Sequence, residues 1–354
     1  MRTPARRRKR RCYTDDVSEA EESDSLVQYE VEPNYAGWTL AAYVEEKLKR
    51  PLPGDRLERM LRSRALVHEE KELLPETRIW PGLRFSLRKR SPGDVGEPPL
   101  LHIVYDDEAL LVVDKPAGLA LHPTARYHQT TLTWALEHRH RNAAGEKPDP
   151  AHRLDRETSG LVACGRNSGF TRRLKAAFAA RQVSKEYLAL AEGAPPEEKF
   201  EVEVPLVVGG GRVKVKVRVD EAGAPSKTHF QVLARYLDAA GKPLTLLRCL
   251  PFTGRQHQIR AHLQAAGFPL VGDKLYGPSE EIFLRLAESG GTPAPAGTFD
   301  ALITPDEQAA LRLWRQALHA SELVVPHPAT SAPVPLSSPL PSDISDLIGT
   351  LRPL

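Results

Sequence analysis

The chain has 354 residues, 41% of them hydrophobic, which is enough for two domains with proper cores and excludes a wholly disordered protein. Lys and Arg number 49 against 46 Asp and Glu, a formal net charge of +3, so total charge does not mark a nucleic-acid binder and the local distribution has to decide. Cys12, Cys164 and Cys249 lie far apart with no C-x-x-C pair, which argues against a disulfide framework, a zinc ribbon or an iron–sulfur site and fits a reducing compartment.

Residues 1–30 separate charge into blocks, ARRRKRR and then DDVSEAEESDS, and read as a disordered charged tail. Such a tail either adds nonspecific RNA affinity or is simply solvated. Basic residues without a following apolar region make no secretory signal, and no apolar run reaches the length of a bilayer span, so a cytoplasmic protein off the membrane is expected.

Residues 31–90 form the next unit. In GWTLAAYVEEKLKR, Leu40, Tyr43, Val44 and Leu48 fall at helical spacing, as do Leu57, Met60 and Leu61 in GDRLERMLRSRALV. On the second helix Arg56, Arg59 and Ser63 share one side with Arg62 nearby, and ETRIWPGLRFSLRKR then alternates like a strand. A basic face of this kind is by itself as consistent with plain solvation as with RNA. Helix, helix and hairpin ending in PGLRFSL resemble an S4 RNA-binding domain, which implies Arg56, Arg59 and Arg62 as RNA contacts. The match is degenerate, since ALVHEEKELLPE stands where the glycine-valine-asparagine-glycine hairpin signal is usual.

SPGDVGEPP, residues 91–99, is a linker. A larger domain is expected over residues 100–342. IVY and ALLVVDK read as strands joined at Asp106 and Asp107, TLTWALEHRHR as a helix, GLVACGR as a strand, FTRRLKAAFAARQ as a helix and KEYLALAEG as a strand. RVKVKVRVD, KTHFQVLARY and LTLLRCLPF follow as strands, with the glycines at 209–211 as a hairpin turn, and a helix starts near Arg255. Strands outnumber helices, so the fold class is α+β with a mixed, largely antiparallel sheet. GGTPAPAGTF reads as a flexible insertion, VVPHPATSAPVPLSSPLP as a surface strap, and residues 343–354 as a C-terminal tail.

His257 and His262, five apart, sit roughly 140° from each other around a helix and do not share a metal-binding face. H-E-x-x-H, Walker and G-x-G-x-x-G signatures are absent, so chemistry without metal or cofactor is favoured. In HRLDRETSG, Asp155 stands just before a turn that feeds an apolar strand, and is either a cap for Thr158 or Ser159 or a reactive group at a strand end. Arg255 in LPFTGRQHQIRAHL opens the expected helix, where a cation is unfavourable, so a buried carboxylate or a phosphate should compensate, unless the arginine is merely exposed on a turn. In SKEYLALAE, Tyr187 shares a strand face with Lys185 and Ala189, either as core packing or as a pocket aromatic.

Taken together, HRLDRETSG, SKEYLA, TGRQHQIRAHL with GFPLVGDKLYG, and ALHASELVVPHP, opened by VVDKPAGLALHP, resemble the RluA family of RNA pseudouridine synthases. The resemblance covers residues 100–342 and implies that fold, an isomerase of uridines in structured RNA, and no cofactor. It implies Asp155 as the essential aspartate, Tyr187 as the active-site tyrosine, Arg255 as the arginine that pairs with the aspartate, and Arg153 as a residue that fills the gap left by a flipped base. His152, His257 and Arg260 are expected as further RNA contacts. With an S4-like domain in front, large-subunit ribosomal RNA is the expected partner and tRNA the alternative, for a monomer. A silent RNA-binding protein of the same fold, or a base-releasing hydrolase using Asp155 with His152 or His257, are the rival readings.

Overall fold

The structure, a computed structural model, describes residues 25–47, 57, 61, 64–69, 71–89, 99–123, 131–209, 211–288 and 297–354. It divides into two compact units, residues 1–91 and 92–354. In the first, strands β1 (Ser25–Glu30), β2 (Arg64–His68), β3 (Lys71–Leu73) and β4 (Arg84–Lys89) form an antiparallel sheet in the order β1-β4-β2-β3. Helix α1 (Leu40–Lys47) supplies Leu40, Tyr43 and Val44, at the spacing seen in the sequence, to a core with Leu66, Leu83, Phe85 and Leu87. Leu57 and Leu61 also join this core, but Arg56, Arg59 and Arg62 lie outside the described residues.

The second unit is built on one large sheet. Strands β5 (His102–Asp106), β6 (Leu110–Lys115), β8 (Ser159–Gly165), β9 (Ser184–Glu192), β10 (Lys199–Glu203), β13 (Lys227–Leu237), β14 (Pro243–Pro251) and β15 (Leu318–Pro326) run in the order β10-β13-β14-β9-β15-β8-β6-β5. The short β7 (Asp149–Pro150) pairs with β8, and β11 (Leu206–Val208) with β12 (Val217–Val219) makes a separate two-stranded ribbon. Neighbours are antiparallel except β8 and β15, which are parallel. The mixed, largely antiparallel sheet with α2 (Leu132–Arg139), α3 (Ser168–Ala179) and α4 (Gln258–Ala265) is thus α+β.

The parallel pair sets the position of everything that follows. Ala320 on β15 stands opposite Gly160 of β8 on one side and Tyr187 of β9 on the other, and Tyr187 in turn stands opposite Cys249 of β14. The loop that enters β8 and the middle of β9 are therefore brought to one place by a strand far later in the chain. Gly160 has φ +114°, and a β-carbon there would lie 2.3 Å from the carbonyl oxygen of Ala320, so the two backbones approach only because this residue has no side chain.

Three expectations are corrected. Residues 343–354 are not a tail: α7 (Ser342–Gly349) packs Ile344, Leu347 and Ile348 against Leu190, Leu244 and Val271, and β17 (Arg352–Pro353) pairs with β13. The proline-rich strap is largely a hairpin, β15 with β16 (Pro333–Ser337), because prolines are tolerated on an edge strand such as β16. In RVKVKVRVD only Val217–Val219 is strand, since Arg212–Lys216 turn. Helices α5 (Glu280–Glu288) and α6 (Pro305–Leu311) occupy stretches to which no element is assigned above, and of GGTPAPAGTF residues 290–296 lie outside the described residues.

Gly160→Ala is expected to destabilise the second unit by about 2 kcal/mol or more, since overpacking against backbone and a positive φ act together. Urea unfolding checks this, and a midpoint equal to the parent's would mean that the β8–β15 approach yields easily.

Candidate active site

Asp155 lies on the loop that enters β8 and opens on a cleft of about 920 Å³, lined also by Arg153, Arg181, Lys185, Tyr187, Phe252, Arg255, His257 and Arg260. The loop is fixed from several sides. Asp155 accepts the Thr158 amide through its own carbonyl, and Thr158 Oγ1 accepts from Gln316 Nε2 at 3.1 Å. Ser159 Oγ is bonded to His319 Nδ1 at 3.0 Å. The Arg156 carbonyl accepts from Gly118 N at 2.9 Å and from Lys115 Nζ at 3.0 Å, which ties the loop to the VVDKPAG turn. Lys115 is fully buried and also donates to the Pro116 and Leu119 carbonyls, and burial pushes it down to about 7. Glu157 accepts from Lys274 Nζ at 2.9 Å through both oxygens.

The cation that holds Asp155 is Arg260. Its Nη1 donates to Asp155 Oδ2 at 2.8 Å, while Nε and Nη2 form a two-pronged pair with Asp273 at 2.7 and 2.9 Å. Asp273 is wholly buried and its Oδ1 also accepts the Leu275 and Tyr276 amides, and the guanidinium lies 4.9 Å from the Tyr276 ring centre. Burial opposes the charge on Arg260, but Asp273 and Asp155 more than offset it and raise its pKa. Burial likewise opposes ionisation of Asp155, and the His257 and Arg260 charges outweigh it and hold the carboxyl below its usual range. Burial pushes His257 itself down to about 4, so near neutral pH Arg260 is the partner that stays charged.

This corrects the expected pairing of Arg255 with Asp155. The helix starts at Gln258, because residues 253–257 fold around the buried Gln258 side chain: its Oε1 accepts from Arg255 N at 3.0 Å and Thr253 Oγ1 at 2.6 Å, and its Nε2 donates to the Lys227 carbonyl. Arg255 is left exposed on that turn, its Nε reaching the Pro225 carbonyl at 3.4 Å. Arg260 is correspondingly not available as an RNA contact, being 6% exposed and shared between two carboxylates. His152 lines the cleft, but its Nε2 accepts from the Ala163 amide at 3.0 Å, its ring packs on Phe178, and burial pushes it down to about 3. That nitrogen is spent within the fold. Arg153 is exposed at the rim.

Tyr187 is half-buried and packs between two parts of the core while facing the cleft, so both sequence alternatives apply to it. Burial, then the Asp155 charge, raises its phenol. His257 Nε2 is 3.7 Å from Asp155 Oδ2 and its Nδ1 is 3.1 Å from the Tyr276 hydroxyl. Asp273, Tyr276, Lys115 and Gln258 do not stand out in the sequence, although GDKLYG and VVDKPAG contain three of them. Among the described residues no three His, Cys, Asp or Glu side chains gather as a metal site, and no helix is long and apolar enough to cross a membrane.

A cleft lined with Arg153, Arg181, Lys185 and Arg255, with an ionised carboxylate inside, suits a polyanion whose reacting centre meets that carboxylate. Comparison with known proteins agrees. The RNA pseudouridylate synthase family matches residues 109–265. The ribosomal large subunit pseudouridine synthase D of Nitrosomonas europaea is 30% identical over 95% of this chain and 90% of its own. That of Xanthomonas campestris pv. campestris is 35% identical over 71% of this chain and 70% of its own. In structure, human RNA pseudouridylate synthase domain containing 1 superposes with a TM-score of 0.53 at 26% identity, covering 73% of this chain and 92% of that one.

Arg260→Ala is expected to cost about 3–5 kcal/mol at neutral pH because it strands buried carboxylate charge. Arg255→Ala should stay within about 0.5 kcal/mol of the parent. Because Asp155 and Asp273 titrate below their unfolded values, their contribution is present above roughly pH 4 and is lost as pH falls through the folded values. Urea unfolding of all three proteins at neutral and acid pH tests this: the gap between parent and Arg260→Ala should narrow in acid, and equal losses for the two variants would contradict the pairing.

Proposed function

The chain belongs to the RNA pseudouridylate synthase family, and from that premise we propose that it isomerises uridines to pseudouridine in large-subunit ribosomal RNA, with Asp155 as the reacting carboxylate. The observation that carries the assignment is the Asp155 carboxylate, ionised against burial by Arg260 and open to a cleft wide enough for a nucleotide. Ribosomal RNA is preferred to tRNA because the relatives named above act, by name, on the large ribosomal subunit.

The reaction breaks the C1′–N1 bond, turns the uracil, joins C5 to C1′, removes the C5 proton and leaves one on N1. The base must first leave the RNA stack, and Arg153 at the rim is placed to fill the gap. Asp155 either bonds to C1′ or takes the 2′ proton. Arg260 keeps it charged and aimed, the role expected for Arg255. Tyr187 carries a raised phenol and so stands protonated, which favours contact with the ring and ordering of the site over direct removal of the C5 proton. The cations Arg153, Arg181, Lys185 and Arg255 take the phosphates beside the target nucleotide. Residues 31–90 act as a degenerate S4-like RNA-binding domain, residues 100–354 as the catalytic domain, and the protein works as a cytoplasmic monomer without a cofactor.

Asp155→Asn retains shape and loses the charge. Tritium release from RNA carrying 5-tritiated uridine should fall by at least about 10²-fold while the circular dichroism spectrum is kept. Release close to the parent's would remove Asp155 from the chemistry.

A further inference from the structure

The inference rests on the isomerase reading above and adds a group to it. His257, the residue before α4, has φ 53° and ψ 20°, a left-handed conformation, and makes no side-chain cap bond to the helix. A β-carbon makes that conformation cost about 1–2 kcal/mol, and among non-glycine residues Asn, Asp and His adopt it most often. This backbone sets the imidazole ring on the cleft beside Asp155.

A chain of hydrogen bonds starting at the main chain fixes where that ring carries its proton. The Val217 amide, which can only donate, gives its proton to the Tyr276 hydroxyl oxygen over 2.7 Å. The Tyr276 proton is then left for His257 Nδ1 at 3.1 Å. Were Nδ1 the donor, the proton of this buried hydroxyl would have no acceptor among the described residues. Nδ1 therefore accepts, and the proton of the neutral ring sits on Nε2. The groups facing the ring are Asp155 and Arg153 from the loop before β8, Arg260 from α4, and Asp273 and Tyr276 beyond it. Burial outweighs the two carboxylates and keeps the ring uncharged near neutral pH. The 3.7 Å from Nε2 to Asp155 Oδ2 is too long for a hydrogen bond. The Nε2–H is left to a third group lying against the carboxylate.

We propose that His257 is a further catalytic residue, whose neutral Nε2–H donates to O2 of the flipped uracil as the C1′–N1 bond breaks. In that step the bonding pair goes to N1 and spreads over O2 and O4, while C1′ is left electron-poor beside Asp155. The imidazole keeps its proton, and its hydrogen bond strengthens as charge grows on O2, which is what lowers a barrier. After the base has turned, the C5=C6 pair forms the C5–C1′ bond as the N1 pair closes to N1=C6. Loss of the C5 proton then restores the C5=C6 double bond and N1 takes up a proton, so that the product is an isomer of the substrate. Neutrality suits this role, because an imidazolium would pair with Asp155 and blunt it, and a neutral imidazole as an electrophile has precedent in triosephosphate isomerase.

Protein labelled with ¹⁵N-histidine, with His257→Asn to assign the signal, tests the tautomer directly. Between about pH 6 and pH 8 the His257 signal should show protonated Nε2 and bare Nδ1. A protonated Nδ1 or a charged ring overturns the inference, whether or not the protein isomerises uridine. The second measurement sets stability against rate. Asn bears the left-handed backbone but its amide nitrogen falls where Nδ1 was, whereas Gln strains the backbone and reaches the Nε2 position. Under single turnover His257→Gln should lie within about tenfold of the parent and His257→Asn about 10²–10³-fold below it, as for loss of one oxyanion donor. His257→Asn should nonetheless be the more stable of the two in urea. Asn matching or exceeding Gln in rate overturns the proposal, while absence of pseudouridine from the parent's own product would instead remove the reading on which it rests.

Discussion

One buried guanidinium decides how this site works. Arg260 is held by Asp273 through two parallel bonds and offers its remaining nitrogen to Asp155, so the charge of Asp155 depends on a second carboxylate that never meets the cleft. Such an arrangement is costly to assemble, since each ion gives up several kcal/mol of hydration. It persists because every member is satisfied: Asp273 also accepts two main-chain amides, and the Tyr276 ring covers the guanidinium. A lone carboxylate at this depth would be pushed toward its neutral form.

The sheet supplies the distances. Asp155 comes five residues before Gly160, and the row Gly160, Ala320, Tyr187, Cys249 crosses four strands, so the carboxylate and the tyrosine are placed by main-chain pairing and need no flexible reach. Lys115 and Lys274 fasten the Asp155 loop to neighbouring segments. Fixed geometry of this kind suits the role proposed for Asp155, because a group held in place loses no time or entropy in finding its position.

Much of this is legible in the sequence, and the failures have physical causes. Strand alternation and the turns place Asp155 at the entry of β8 and Tyr187 on β9. Arg260 is taken for an RNA contact and not for the partner of Asp155, because α4 has no exposed stripe over Gln258–Leu263 and arginine is among the residues least expected inside. The same helix is expected too early, since nothing local says that Gln258 closes the preceding turn on itself. Asp273 looks like part of a glycine turn and shows its role only through Arg260. At the C-terminus Ile344, Leu347 and Ile348 do carry helical spacing, but after so many prolines residues 343–354 read as a tail. The buried Arg315 bound to Asp343, which seats that helix, is a contact between parts of the chain that no local pattern announces.

The central claim is that Asp155, charged by Arg260, rearranges a uridine without releasing its base. Large-subunit ribosomal RNA transcript treated with the protein and digested to nucleosides measures this directly. The account predicts pseudouridine in an amount equal to the uridine lost, with the total nucleoside mass unchanged. Free uracil accompanied by abasic sites, or no loss of uridine at all, would contradict it.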